Sequence, residues 1–129
     1  MSDTEIIVCT TCRPQGASRD LPAEGLALFE AVQDALLTSE WDGAAPQGLQ
    51  VRGLACMSGC SRACTVTLQA SGKFSYYFGD LAADAETAAQ VIACAQLHKH
   101  SEDGSLARND RPERLRSGIL ARLPPLGVA

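Results

Sequence analysis

The cysteines constrain the fold and chemistry of this chain more than any other residue type. Six are present, and five of them fall in two short segments, residues 9–12 and 56–64, with Cys94 standing alone. The first residues are acidic and form no export signal, so we expect a cytoplasmic protein, and reducing compartments disfavour structural disulfides. Clustered cysteines in such a protein indicate metal binding or redox chemistry.

Length and composition indicate a globular chain. The 129 residues, of which 46% are hydrophobic and 20% charged, fit a single domain that we expect to span residues 1–129. The net charge of −4 disfavours nucleic acid as a partner, because a nucleic-acid binder needs a basic face. No stretch approaches the ~18–20 apolar residues of a membrane helix, so we expect no membrane contact either.

The first half of the sequence predicts a β-α-β unit. Residues 5–9 form a short β-branched run typical of a buried strand, and residues 49–55 predict a second strand. Between them, an apolar stripe at helical spacing predicts a helix over residues 21–40. Asp20 is its expected N-cap, and Pro22 suits its first turn. A helix between two strands of one sheet favours parallel strands.

The second half predicts a hairpin and two helices. Residues 64–78 alternate around the turn signal Ser71-Gly72, which is typical of a β-hairpin. An alanine-rich stretch predicts a helix over residues 83–98, and apolar spacing predicts a last helix from Pro112 to just before Pro124. The predicted fold class is therefore α/β, a β-α-β-β-β-α domain with an extra C-terminal helix.

The predicted β-α-β unit brings two cysteine pairs together. Cys9 and Cys12 follow the first strand, and Cys56 and Cys60 follow the second. Because parallel strands end at the same edge of a sheet, all four are expected to meet there. Four thiolates hold either one tetrahedral zinc ion or a small iron–sulfur cluster, and the residues alone do not decide between the two.

The same residues carry a family resemblance. Residues 54–63 resemble the Cys-Leu-Gly-x-Cys segment of thioredoxin-like 2Fe–2S ferredoxins. The four cluster ligands of that family correspond here to Cys9, Cys12, Cys56 and Cys60. Over nearly the whole chain, a wider pattern resembles a bacterial family of small, largely uncharacterised proteins predicted to bind metal. That pattern comprises the early Cys-x-x-Cys-Arg, the three cysteines of 56–64, Tyr-Tyr-Phe-Gly-Asp-Leu at 76–81 and Arg-Pro-Glu at 111–113.

The resemblance implies a thioredoxin-like fold, a cysteine-ligated 2Fe–2S cluster and a one-electron carrier rather than an enzyme. It further implies a redox partner protein and a homodimer. Two departures from the ferredoxin pattern concern the ligands. The spacing between Cys9 and Cys12 is tighter than is usual there, and Cys64 stands close to where those proteins often carry a proline. Cys64 is therefore a candidate substitute ligand, and equally a candidate core residue beside Val66.

Two other functions fit the cysteines. A zinc-binding or metal-delivery protein with a four-cysteine site needs the same four thiolates. A thiol–disulfide oxidoreductase would use Cys9 and Cys12, because they form a Cys-x-x-Cys motif after a first strand. Thioredoxin motifs open a helix directly, whereas the residues that follow Cys12 predict a loop, which disfavours this second alternative.

The remaining candidate side chains have plainer interpretations. Cys94 is expected in the core, and His98 and His100 are expected to be solvated at the end of the second predicted helix. Arg13 and Arg62 either offset the charge of a cluster or lie on the surface. The C-terminal arginines form either a dock for an acidic partner or a solvated helix face. They are Arg108, Arg111, Arg114, Arg116 and Arg122.

Overall fold

A sheet and a pair of helices make up the described part of the protein. The computed structural model describes residues 4–13, 20, 22–38, 48–55, 57 and 62–125. Strands β1 to β5 are Thr4–Cys9, Leu49–Leu54, Val66–Gln69, Ser75–Phe78 and Ile119–Leu123. Helices α1 and α2 are Glu24–Thr38 and Ala85–His100, and short 3-10 turns occupy Arg108–Asp110 and Glu113–Leu115.

The five strands form one sheet in the order β2-β1-β3-β4-β5. β1 and β2 run parallel with Cys9 opposite Leu54, which confirms the predicted β-α-β unit. The other neighbours are antiparallel, and β3 and β4 form the predicted hairpin. β1 is therefore internal, and its last residue is flanked by Leu54 on one side and by Thr65 on the other.

One hydrophobic core joins the helices to the sheet. Alternate residues of β1, Ile6 and Val8, pack there with Leu28 and Val32 of α1 and with Val91 of α2. The helices contact each other, and both contact β1. Burying each such aliphatic side chain contributes about 1.5–3 kcal/mol relative to leaving it exposed. The apolar stripe that the sequence assigns to the first helix is thus confirmed as the buried side of α1.

Helix α1 begins later than predicted. It starts at Glu24, so Asp20 lies too far upstream to be its N-cap, and Pro22 precedes the helix instead of occupying its first turn. The physical reason lies outside the helix. The Gly25 N–H donates to the Cys12 carbonyl at 3.0 Å, so the turn that follows β1 supplies a hydrogen-bond partner for this helix end.

Helix α2 lies two residues downstream of its predicted range and is anchored at both ends. Asp84 is its N-cap, and the side chain accepts a hydrogen bond from Thr87 N–H at 2.8 Å. At the other end, Lys73 Nζ donates to the carbonyls of His98 and Lys99 at 3.1 and 2.6 Å. Within the described ranges, no helix is long and apolar enough to cross a membrane.

The prediction of a C-terminal helix is wrong. Pro112 is followed by a single 3-10 turn, and the chain then forms β5, which pairs antiparallel with β4. Gly118 separates the two with a φ of +80°, and its carbonyl accepts from Gly79 N–H at 2.8 Å. Of the expected apolar stripe, Leu115 is buried, whereas Leu123 is 57% exposed. The open edge of β4 offers this segment backbone hydrogen bonds that override its helical spacing.

The C-terminal arginines do not form a helix face, because the helix is absent and several of them bind neighbouring elements. Arg111 is buried, with 6% of its surface exposed. Arg114 donates to two carboxylates at the start of α2 at 3.2 and 3.1 Å. The Arg122 guanidinium lies 3.9 Å from the centroid of the Phe74 ring. These side chains hold the C-terminal segment against α2 and the hairpin.

The expectation for His98 is also wrong, while His100 is exposed as expected. His98 is fully buried. Its Nε2 lies 2.7 Å from the Phe74 carbonyl, which can only accept, so Nε2 carries the hydrogen. Its Nδ1 therefore accepts from Thr4 Oγ1 at 2.9 Å. The helix end that the sequence places in solvent is instead fixed to the beginning of β1 and to the hairpin.

Candidate metal centre

Cys9 and Cys12 form a buried pair of free thiols where β1 ends. Cys9 is the last residue of the strand, and the chain turns so that Cys12 returns beneath the surface, with 0% and 1% of the two residues exposed. The two sulfur atoms are hydrogen-bonded to each other. Thr11, between them, is exposed, so the pair lies one residue below the surface.

The first turn of α1 packs directly on the backbone of this pair. A Cβ atom on Gly25 would lie 2.0 Å from the Cys9 carbonyl oxygen and 3.0 Å from the Cys12 nitrogen. Because no side chain fits such a gap, only glycine allows this approach. The helix start thereby fixes the turn between the two cysteines.

Two threonine side chains from separate parts of the chain contact the sulfurs. Thr65 Oγ1 lies 3.6 Å from Cys12 Sγ, and Thr11 Oγ1 lies 3.8 Å from Cys9 Sγ. The Thr65 carbonyl also accepts the Cys9 backbone N–H at 3.2 Å, so this residue contacts both cysteines at once. Thr65 is fully buried, whereas Thr11 is open to solvent.

Residues of β2 and beyond it contact Cys9 and its neighbour Thr10. Thr10 N–H donates to the Leu54 carbonyl at 3.0 Å, and the backbone of Met57 is hydrogen-bonded to the Cys9 sulfur. Tyr77 of β4 fixes Met57 from the other side, because its hydroxyl donates to the Met57 carbonyl at 3.0 Å. The predicted ligands Cys56 and Cys60 lie outside the described residues.

The two thiols of the pair differ in their pKa. Burial favours the protonated form of Cys9, but hydrogen bonds from Cys12, Met57 and Thr11 outweigh burial and lower the Cys9 pKa to about 7. Burial and the neighbouring Cys9 raise the Cys12 pKa to about 11, in spite of hydrogen bonds from Thr65. The pair therefore loses one proton near neutral pH and retains the other.

The other described cysteines are core residues. Cys64 is fully buried, and burial, followed by the nearby charges of Cys12 and Glu24, raises its pKa to about 12. Cys94 is buried as expected, and burial raises its pKa to about 12 as well. No three His, Cys, Asp or Glu side chains within the described ranges gather into a metal-binding group. The substitute-ligand role of Cys64 stays a prediction.

The two arginines beside the cysteine segments differ in their surroundings. Arg62 is exposed, and its Nε donates to the two carboxylate oxygens of Asp80 at 3.0 and 2.9 Å. The charge of Arg62 is thus matched by a neighbour on the surface. Arg13 directly follows Cys12 and is half-buried.

Sequence reasoning missed the residues that contact or support the cysteine pair: Thr11, Gly25, Met57, Thr65 and Tyr77. The only local signal is the position of three of them next to a cysteine. The contact of Thr65 with Cys12 depends on the register of β1 and β3, in which Val8 pairs with Val66. That register is a property of the sheet and cannot be read from the spacing of residues along the chain.

Solved structures share this fold. A thioredoxin-like [2Fe-2S] ferredoxin from Aquifex aeolicus is similar with a TM-score of 0.57 and 18% identity over 100% of both chains. A 1.5 Å structure of a wild-type thioredoxin-like [2Fe-2S] ferredoxin from Aquifex aeolicus gives a TM-score of 0.57 and 15% identity, covering 94% of this chain and 99% of that one. A cysteine-to-serine variant of a ferredoxin with the same description gives a TM-score of 0.54 and 16% identity, covering 92% of this chain and 98% of that one. The described elements thus form a thioredoxin-like fold.

Sequence comparison defines the family. A search of curated proteins finds no match. Residues 6–125 match the profile of a family described as "Protein of unknown function (DUF1636)". This match spans nearly the whole sheet, both helices and all six cysteines. The chain therefore belongs to the DUF1636 family.

Proposed function

We propose that this protein is a ferredoxin-like one-electron carrier with a 2Fe–2S cluster ligated by Cys9, Cys12, Cys56 and Cys60. The observation that carries the proposal is the buried pair of Cys9 and Cys12 at the end of β1, with threonine hydroxyls and backbone groups in hydrogen-bond contact with both sulfurs. Iron–sulfur clusters are held by such cysteine thiolates.

The residues present fit this group chemically. Cys9, with a pKa of about 7, gives up its proton near neutral pH, as a thiolate ligand must. Met57, the residue after Cys56, contacts the Cys9 sulfur, which supports a second ligand pair from the same loop. Cys94 lies in α2 and packs in the hydrophobic core, which favours a structural role for it.

The surroundings suit electron exchange with a partner protein. When bound, the cluster would supply reversible uptake of one electron. Thr11 and Leu54 flank the cysteine pair at the surface, and Leu54 is 46% exposed. A redox partner that covers this edge would approach within one residue of the sulfurs. The Aquifex aeolicus proteins of the same fold are described as ferredoxins, which supports this function by analogy.

Metal content and visible absorption of anaerobically purified protein test the proposal. We expect visible absorption and about two irons per chain in the wild type. Cys9→Ser, Cys56→Ser and Cys60→Ser should lose both, while Cys94→Ala, a core cysteine, should keep them. A colourless protein with about one zinc per chain would instead indicate a zinc site of four cysteines. Unchanged iron in the Cys56→Ser and Cys60→Ser variants would refute the ligand assignment.

A second candidate function rests on the pKa difference within the pair. Thiolate Cys9 has the protonation state for attack on a substrate disulfide, which would release one substrate thiol and form a mixed disulfide. Cys12 would then displace the second substrate thiol and form a disulfide with Cys9. The protein dithiol is thereby oxidised, and the substrate disulfide is reduced to two thiols. Metal-free protein that reduces insulin only when both cysteines are present would favour this thiol–disulfide oxidoreductase over the electron carrier.

A further inference from the structure

Thr65 is a buried polar residue beside the cysteine pair. It immediately precedes β3 and is fully buried, although its side chain is polar. Its hydroxyl lies 3.6 Å from Cys12 Sγ, and its carbonyl accepts the Cys9 N–H at 3.2 Å. Its backbone is hydrogen-bonded to the Cys12 sulfur as well. Thr65 is thus interlocked with both cysteines of the pair.

The direction of the hydroxyl bond follows from the state of the sulfur. A thiol can donate or accept, but a metal-bound thiolate has no hydrogen and can only accept. With Cys12 as a ligand, Thr65 Oγ1–H must therefore donate to Sγ. Because Thr65 is shielded from water, no solvent molecule competes for this bond, and the low local dielectric strengthens it.

We propose that the Thr65 hydroxyl raises the reduction potential of the metal centre by donating its hydrogen bond to the Cys12 sulfur. The inference rests on the proposed function, and no bond forms or breaks in it. One electron comes from the redox partner and adds one negative charge to the thiolate-ligated centre. A donor to sulfur stabilises that added charge, so the reduced form gains more than the oxidised form.

Thr11 offers a comparison within the same site. Its hydroxyl lies 3.8 Å from Cys9 Sγ and is exposed. Water can replace this donor when it is removed, whereas nothing replaces the buried Thr65 hydroxyl. The contribution of Thr65 to the potential is therefore the larger of the two.

Four substitutions test the proposal through the midpoint potential of iron-loaded protein, measured by dye-mediated spectroscopic titration. Thr65→Val keeps the shape and removes the donor, and Thr65→Ser keeps the donor. Thr67→Val is the matched control, because Thr67 lies on the same face of β3, opposite Ile7 and Tyr77. Thr11→Val removes the exposed donor.

We expect the Thr65→Val potential to be lower than that of the wild type at equal iron content, and the Thr11→Val potential to fall less. Thr65→Ser and Thr67→Val should match the wild type. If the Thr65→Val potential is unchanged, or Thr67→Val falls equally, the proposal is overturned while the electron-carrier function stands. If the wild type binds no iron, the proposed function fails and this inference fails with it.

If Thr65→Val does not fold, a measurement that starts from the wild type still tests the proposal. Exchange into deuterated water should shift the iron–sulfur stretching bands of the resonance Raman spectrum, since the hydroxyl hydrogen is exchangeable. Thr65→Ser should keep that shift, and Thr65→Ala, a second variant without the donor, should reduce it. Bands that do not respond to deuterium would overturn the assignment of a hydrogen bond to sulfur.

Discussion

A buried polar cluster closes each end of β1, and the two differ in what their polar atoms do. In the start cluster, formed by Thr4, His98 and Phe74, both ring nitrogens of His98 face a protein partner. In the end cluster, formed by Cys9, Cys12 and Thr65, the polar groups are directed at sulfur atoms. A hydrogen bond donated to sulfur is stronger when the sulfur is a thiolate. The start cluster is therefore structural, and the end cluster is suited to hold a charged group.

The largest expected effect comes from breaking the start cluster. His98→Ala removes a fully buried ring and leaves the Thr4 hydroxyl and the Phe74 carbonyl without it. We expect unfolding free energy to fall by about 3–4 kcal/mol, from the cavity and the lost hydrogen bonds together. Urea unfolding measures this, with exposed His100→Ala as the neutral control. Iron content per folded chain should stay at the wild-type level, and a parallel loss of iron would erase the distinction between the clusters.

Gly25→Ala disturbs the end cluster instead. The new Cβ would collide with the Cys9 carbonyl, and moving the helix start away costs more than the ~1 kcal/mol by which alanine favours a helix. We expect a net loss of about 2 kcal/mol in unfolding free energy, together with reduced iron retention. Thermal unfolding and metal analysis on one sample report both. A variant more stable than the wild type would show that the close approach is not needed.

Tyr77→Phe tests the support that Tyr77 gives to Met57 beside Cys9. It removes the hydroxyl that donates to the Met57 carbonyl, a bond worth about 1 kcal/mol. We expect faster loss of iron to a chelator with little change in unfolding. Tyr76→Phe is the matched control, because the neighbouring hydroxyl lies on the other face of the sheet and accepts from Leu106 N–H at 2.9 Å. Equal chelation rates in the two variants would contradict a role for Tyr77.

The smallest effect is the pH dependence that the start cluster confers. Burial lowers the pKa of His98, only partly offset by its bond to the Phe74 carbonyl, so the folded protein keeps this side chain neutral. The unfolded chain binds the proton once pH falls below about 6.5, and stability is therefore lost from there downward. Urea midpoints measured from about pH 7 to about pH 5 should fall less in His98→Gln than in the wild type. Identical slopes would contradict a buried neutral His98.

Local patterns predicted the elements whose hydrophobic period agrees with their final surroundings. The β-branched run of β1 and the apolar stripe of α1 pack in the core as their spacing indicates. The C-terminal segment failed this test, because its helical spacing competes with the open edge of β4 and with the positive φ of Gly118. His98 failed for a related reason. A histidine at a helix end is normally solvated, and only the packing of β1 against α2 buries it.

The sequence by itself determined where Cys9 and Cys12 lie, since they follow a strand that hydrophobic period alone identifies, and a β-α-β unit makes the next strand parallel. Only the tertiary structure decided what surrounds them. Thr65 reaches Cys12 through the antiparallel register of β1 and β3, and Gly25 reaches Cys9 through the docking of α1. Spacing along a chain fixes local geometry, whereas contacts between distant residues depend on how several elements pack at once. The two thiols of this site can therefore be predicted from the sequence, whereas the residues that contact them cannot.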